Sequence, residues 1–406
     1  MYRRLKIGIV VLSIGVVALV VTGAALDQSA SREGPYRQLA VYTEVLSRIK
    51  SDYVEEPDMA SVTLGALNGL LESIDPFASY LNPKQYKDYL KQKDTVQAGV
   101  GLILSKKYGY LGVVAAIPGS PGARAGLSTG DMVDAINGAS TRDMPLAYAD
   151  LLLQGKAGSS VEMSVLTVRQ PEPKKLTLTR APLQYPAVTR RMLPEQFGYV
   201  KAESLAAGRA GDVARAVTEL QAQNPQGLIL DLRSCATGAP QDGLAAANLF
   251  LSKGLLAYLQ GQRVPRKNFE ADPSKAVSRL PLILITNRGT AGAAEVAAAA
   301  LLDNKRAEVV GERTYGDAAQ REAITMEDGS AILLSVAKYY SPAGKAIQDA
   351  GVTPTVAVVE MEPIAGVEEE AVPERPEAPP PAKPTEDKLL KKAIEVLAEK
   401  IRKAAA

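Results

Sequence analysis

Residues 287–295 read N-R-G-T-A-G-A-A-E, and this stretch with its flanks constrains the fold more than any other part of the chain. The apolar β-formers Leu282, Ile283, Leu284 and Ile285 lead into it, and helix formers from Glu295 to Leu302 lead out. A strand that breaks at glycine into an alanine-rich helix is a building block of α/β architecture. Such a turn aims helix N-terminal N–H groups at one point, which is where α/β enzymes place a nucleophile. The small residues that the turn needs are present, but it contains no serine or cysteine.

Composition narrows the chemistry further. None of the 406 residues is histidine, which excludes Ser-His-Asp and Cys-His mechanisms, histidine acid–base catalysis and most zinc sites. The single cysteine, Cys235, allows no internal disulfide and no CxxC site. A net charge of +2 gives no reason to expect a nucleic-acid partner. No cofactor or metal is expected. A catalytic version of this chain must use carboxylates, lysine, or a hydroxyl activated by lysine.

Read in order, the chain predicts an α+β/α/β multidomain protein. Arg3, Arg4 and Lys6 precede an uncharged apolar run over residues 7–26, long enough to cross a bilayer as one helix. Its apolar character all round argues against a buried core helix. The positive flank leaves the N-terminus in the cytoplasm and puts the body outside it. Residues 1–27 are therefore read as a single-pass anchor in a bacterial inner membrane, with the body in the periplasm. The small residues Gly23, Ala24 and Ala25 keep a cleaved signal peptide, and a secreted or periplasmic product, as the alternative.

Residues 36–95 read as a helical region with helices over 36–50, 59–74 and 83–93. Leu64, Leu67, Leu70 and Leu71 recur at helical spacing as core positions, and Asp75-Pro76 stops the second helix. Across residues 98–181 short β runs, glycine turns and Asn137-Gly138 predict a small barrel-like β domain with one or two helices. Strands and helices alternate over residues 182–360, which predicts a mixed sheet with helices on its faces. Residues 363–386, rich in proline and glutamate, read as a linker. Residues 387–406 form an amphipathic helix. Leu389, Leu390, Ile394, Leu397 and Ile401 share one stripe, expected to dock back on the body.

Two resemblances sit on these segments. Gly99-Val100-Gly101-Leu102, the run Gly119-Ser120-Pro121 through Ala125-Gly126-Leu127 to Gly130-Asp131, and Ile136-Asn137-Gly138 resemble a PDZ domain. In that family the glycine-containing loop, here Gly99, Val100, Gly101 and Leu102, offers backbone N–H groups to a peptide's terminal carboxylate, and the peptide adds as a strand. Over most of its length the chain is similar to the carboxyl-terminal processing, or tail-specific, proteases of peptidase family S41. The landmarks are Ile74-Asp75-Pro76 with Ser79-Tyr80-Leu81, then Leu230-Asp231-Leu232-Arg233, residues 287–295, and Val310-Gly311-Glu312-Arg313-Thr314-Tyr315-Gly316. Asp328-Gly329-Ser330, Tyr339-Tyr340-Ser341-Pro342-Ala343-Gly344, Ile347-Gln348 and Gly351-Val352-Thr353-Pro354 follow. This resemblance implies a ClpP/crotonase-like mixed-sheet core.

It also implies a serine nucleophile with a lysine base, a pair that needs no histidine. Carried over residue by residue, the nucleophile falls on Gly292, the base on Asp317, and a glutamine four positions later on Arg321. The other two serines of the family's run fall on Thr290 and Ala294, and its glutamate is retained as Glu295. The oxyanion segment falls on Thr237, Gly238 and Ala293. Glycine has no attacking atom and aspartate carries the wrong charge for a base, so the resemblance implies lost chemistry. A displaced pair of Thr290 or Cys235 with Lys305, Lys338 or Lys345 is the rival. For Cys235 a small buried hydrophobe is the plain alternative. For Asp317 and Arg321 it is a local ion pair one helical turn apart.

The expectation is a membrane-anchored pseudoprotease that binds C-terminal peptides or unfolded proteins as an adaptor, regulator or partner of an active paralogue. An active peptidase with rearranged residues and a structural scaffold held together through the amphipathic tail are the competing expectations.

Overall fold

A computed structural model of the chain describes residues 35–93, 98–107, 109–142, 144–167, 170–206, 208–359 and 387–405. The apolar run over residues 7–26 and the linker over 363–386 lie outside these. Among the described residues no helix is long and apolar enough to cross a membrane.

Two compact units divide the chain at Ala66 and Leu67. The first contains the helix Pro35–Asp52 and the start of the helix Met59–Glu72. The division falls inside that second helix, within the helical region over residues 36–95. Of the leucines expected in the core there, Leu71 is buried while Leu70 is 55% exposed. Helical spacing identified an apolar stripe, but a stripe is buried only as far as a partner surface covers it.

The second unit holds three sheets that matter for function. Its core is a six-stranded sheet in the order Thr189–Met192, Phe197–Lys201, Gly227–Asp231, Leu282–Thr286, Ala307–Gly311 and Val356–Ala357, parallel except at its first pair. The central strands are buried on both faces, hence their continuous apolar sequences. One face packs on helices Arg209–Gln221, Pro240–Asn248 and Ala293–Asp303. The other is covered by the C-terminal helix Lys388–Ala405 through Leu389, Leu390, Ala393 and Leu397. Its fit is close. A Cβ on Gly227 would come within 2.8 Å of Leu397, and one on Gly311 within 2.6 Å of Leu389. Arg233 bonds both the buried Asp231 and Asp387, tying the start of this helix to the C-terminal end of the central strand Gly227–Asp231.

A second core sheet runs Ser79–Leu81, Ala331–Tyr340, Leu255–Gln260 and Lys267–Glu270, with Ala319–Thr325 also paired to Ala331–Tyr340. The strand Ala319–Thr325 is polar and half-exposed, so it carries little of the alternation that marks a strand in sequence.

Residues 98–181 form a sheet ordered Leu102–Lys107, Tyr110–Ala116, Met132–Ile136, Ser160–Thr167 and Gln170–Thr179, with helix Leu146–Leu153 packed on it. Gly99 and Ala181, which flank the first and last of these strands, pair with each other and draw the two ends of the sheet together. Leu102–Lys107 is an edge strand, and that edge matters below.

Candidate functional site

The strand Leu282–Thr286 delivers Asn287 at the end of the parallel sheet. The Asn287 side-chain oxygen accepts N–H bonds from Ser234 (2.9 Å) and Gly289 (3.1 Å). Ala291 N–H donates to the Cys235 carbonyl at 3.0 Å. These bonds stitch the turn to the loop that follows the neighbouring strand Gly227–Asp231. Gly292 comes next, capping the helix Ala293–Asp303 with φ 62° and ψ −120°. A side-chain-bearing residue held there stores strain, as nucleophiles at sharp strand-to-helix turns do. The space for a side chain is open: a Cβ on Gly292 would lie 3.8 Å from the Asp317 carbonyl and 3.9 Å from that of Gly238.

Glu295 holds this geometry. Its carboxylate is fully buried and accepts N–H bonds from Gly292 (3.0 Å), Gly316 (2.7 Å) and Asp317 (2.7 Å), and the hydroxyl proton of Thr314. It thus clamps the turn of residues 287–295 to the loop that bears Asp317. Burial pushes the carboxyl up to about 7, against donors that favour the ionised form. The N–H groups of Gly238 and Ala293 have no partner among the described residues. They come from the segments where the resemblance places an oxyanion site, and Ala293 Cβ lies 3.2 Å from where a Cβ on Gly238 would stand. Thr237, the remaining residue of that segment, bonds its hydroxyl to Ser204 at 2.8 Å.

Asp317 and Arg321 form an ion pair at 2.5 Å. The local ion pair named as the plain alternative for these two residues is thus present, though not on the helix that would space them one turn apart. Instead Arg321 lies in the strand Ala319–Thr325, where a register shift between Gln320 and Arg321 bends the chain enough to bring the side chains together. The Arg321 guanidinium also stacks on Phe77, 4.1 Å from the ring centroid.

The proposed replacements are tied up elsewhere. Thr290 is buried and donates its hydroxyl to the Leu232 carbonyl at 2.8 Å. Cys235 is fully buried, and burial pushes its thiol up to about 12, so it stays protonated. Lys338 pairs with Asp349 at 2.9 Å. Lys305 follows the far end of the helix that Gly292 caps, and Lys345 is exposed in a surface turn.

The four loop residues 99–102 do not play equal parts. Gly99 spends both its N–H and its C=O on Ala181 (3.0 and 3.1 Å). The carbonyls of Val100 and Gly101 accept from Gly122 and Ile117, each at 2.8 Å. The N–H groups of Val100 and Gly101 have no partner among the described residues, although both residues are buried. Buried N–H groups are almost always paired, and two adjacent ones without a partner form an arrangement able to accept an anion. Gly101 has φ 74°, and a Cβ there would stand 2.3 Å from that of Ser120, so only glycine fits.

Leu102 begins the edge strand. Val113, opposite Leu104, spends its N–H and C=O on Asp131 (2.8 Å) and Gly130 (2.9 Å), away from that strand. Leu104 therefore turns its own N–H and C=O outward, open to an added strand. Apolar Leu146, Ala149 and Leu153 of the neighbouring helix pack in one cluster with Val100, Leu102 and Leu104.

Three contributors had no assigned role in the sequence reading: Thr314, Tyr315 and Phe77. Thr314 and Tyr315 lie in the landmark run over residues 310–316, which was the available signal. Tyr315 bonds its hydroxyl to Ser105 of the edge strand and packs edge-on against Phe77.

Comparison with known proteins agrees with these landmarks. Peptidase family S41 matches residues 196–358, and the PDZ domain family matches residues 112–167. The chain is 32% identical to the carboxyl-terminal-processing protease of Synechocystis sp. over 75% of this chain and 73% of that protein. It is also 32% identical to the chloroplastic carboxyl-terminal-processing peptidase 2 of Arabidopsis thaliana, over 79% of this chain but only 62% of that protein. The solved structure of a photosystem II D1 C-terminal processing protease superposes with a TM-score of 0.66 at 27% identity, covering 81% of this chain and 88% of that one. A PDZ-type β domain joined to an α/β core with a glycine-capped helix, at this level of identity, places the chain in the carboxyl-terminal-processing protease family, peptidase family S41.

Proposed function

We propose that this member of the family binds the C-termini of peptides or unfolded proteins through its PDZ domain and does not hydrolyse them. The carrying observation is the contrast between two loops. Val100 and Gly101 offer two buried, unpartnered N–H groups beside an open strand edge. Gly292 offers no side-chain atom, and the carboxylate of Asp317 is neutralised by Arg321. A lysine base works only when neutral, and an aspartate–arginine ion pair supplies nothing comparable. Bound C-termini would then be held for, or withheld from, an active relative, which makes the protein an adaptor or regulator. The apolar run over residues 7–26 supports placing it on a bacterial inner membrane with its body in the periplasm.

The test uses the full-length protein in mild detergent, titrated with a peptide ending in a free carboxylate and with its amide. Tight binding of the free acid with at least tenfold weaker binding of the amide is expected, since a charge-assisted bond to backbone N–H is lost. Equal binding of the two forms would overturn the proposal. Turnover of a denatured protein that disappears in Thr290→Ala or Cys235→Ala would favour the active reading instead. The buried thiol and committed hydroxyl count against that result. The scaffold reading is weakened because the apolar face of the C-terminal helix is covered by its own sheet.

A further inference from the structure

We propose that residues 76–79 form a built-in plug at the far end of the PDZ groove, so that the groove reads only about the last four residues of a bound chain. The inference rests on the peptide-binding reading above. It starts from where the free edge of the strand Leu102–Lys107 ends. Lys106 points its N–H outward in the same sense as Leu104, two residues earlier. That N–H is already taken: it donates to the Pro76 carbonyl at 3.3 Å. The next residue, Phe77, is 8% exposed and belongs to the same apolar cluster as Val100, Leu102, Leu104 and Leu146. Ser79 then accepts the N–H of Ala147 at 3.1 Å, capping the first turn of the groove helix, whose own N-cap residue, Pro145, makes no side-chain cap bond.

Three consecutive contacts thus put this segment where a longer peptide would continue, between the end of the strand and the start of the helix. The plug is anchored on both sides. Ser79–Leu81 pairs with Ala331–Tyr340 in the core sheet, and Phe77 lies against Tyr315 and Arg321. It is therefore not a loose strap that a ligand displaces at little cost. The edge left over, from Leu102 to Ser105, spans about 13 Å, enough for about four extended residues beyond the terminal carboxylate contact. The ligand class follows: free C-termini read over a short apolar tail, with the residues before that tail turning out of the groove at Phe77. Beyond the plug lies a cavity of about 550 Å³, lined by Glu72, Phe77, Lys106, Tyr315, Gly316 and Asp349.

The experiment is a length series of free-acid peptides with one apolar C-terminal sequence, extended towards the N-terminus from two to ten residues and titrated into the full-length protein. Affinity should rise by tenfold or more between two and four residues, then stay within about twofold out to ten. A continued tenfold gain between four and eight residues in the wild type would overturn the plug. An absence of binding at every length would instead remove the peptide-binding reading beneath it, and the plug with it. Phe77→Leu and Phe77→Ala should restore a length dependence beyond four residues. The wild-type series decides the matter even where the alanine variant fails to fold.

Discussion

The loop 99–102 and the turn 287–295 are two versions of one device with different fates. Both use glycine at positive φ, both leave paired N–H groups unpartnered, and both are braced by buried contacts from another segment. At the PDZ loop the work falls to the backbone, so any sequence that preserves the curve preserves the site. At the turn the backbone provides only half of what a peptidase needs, and the rest is a nucleophile and a base on side chains. On the proposed reading, a site built from backbone tolerates side-chain change better than one that needs a nucleophile and a base.

The sharpest way to break that comparison is to refill the turn. Gly292→Ser with Asp317→Lys and Arg321→Gln should yield measurable cleavage of an unfolded protein substrate where the wild type matches buffer. Dyad loss costs several orders of magnitude, so the gain should be correspondingly large. The space beside Gly292 accepts the new Cβ. A folded triple variant with no turnover would mean that the frame has changed more than its dihedrals indicate.

Removing the clamp should be the next largest effect. Glu295→Ala leaves three buried N–H donors and a hydroxyl without an acceptor and should destabilise the protein by roughly 3–5 kcal/mol, read as a fall in the urea midpoint. The same residue gives a pH signature. Its carboxyl is raised in the fold from 4.5 to about 7. Its favourable contribution is thus present in full below pH 4.5 and is lost as pH rises through about 7. Glu295→Gln should flatten the loss of stability between those limits, and an unchanged pH profile would show that the carboxyl is not raised.

At the other loop, Gly101→Ala forces a Cβ against Ser120 at a positive φ. It should lower peptide affinity tenfold or more while lowering the unfolding free energy by only about 1–3 kcal/mol. Unaltered affinity would separate peptide binding from this loop. The smallest effect is a null one. Cys235 should stay unlabelled by a thiol reagent in the native protein and react fully in denaturant, because the thiol is buried and protonated. Rapid native labelling would reopen the rearranged-cysteine reading.

Much of the site was legible because its parts are local. The strand Leu282–Thr286, the small-residue turn and the helix Ala293–Asp303 follow from apolar runs and glycine placement over some twenty consecutive residues. The C-terminal stripe announced its docking through Leu389, Leu390 and Leu397. The exposed Leu70 and the strand Ala319–Thr325 were misread or missed for a shared reason: local pattern reports an element's preference, and neighbours decide what is covered.

By itself the sequence determined the segment order, the strand-to-helix turn, the glycine-shaped peptide loop and the absence of histidine chemistry. The tertiary structure alone decided which groups meet. Glu295 reaches Thr314, Gly316 and Asp317 across 19 to 22 positions of chain. Pro76 meets Lys106, and Phe77 meets Arg321, only because the core sheet carries Ser79–Leu81 past the PDZ edge. Periodicity and turn chemistry act over a few residues, so they specify elements. Hydrogen-bond satisfaction and packing act through space, so contacts between distant segments are settled only when the whole unit closes.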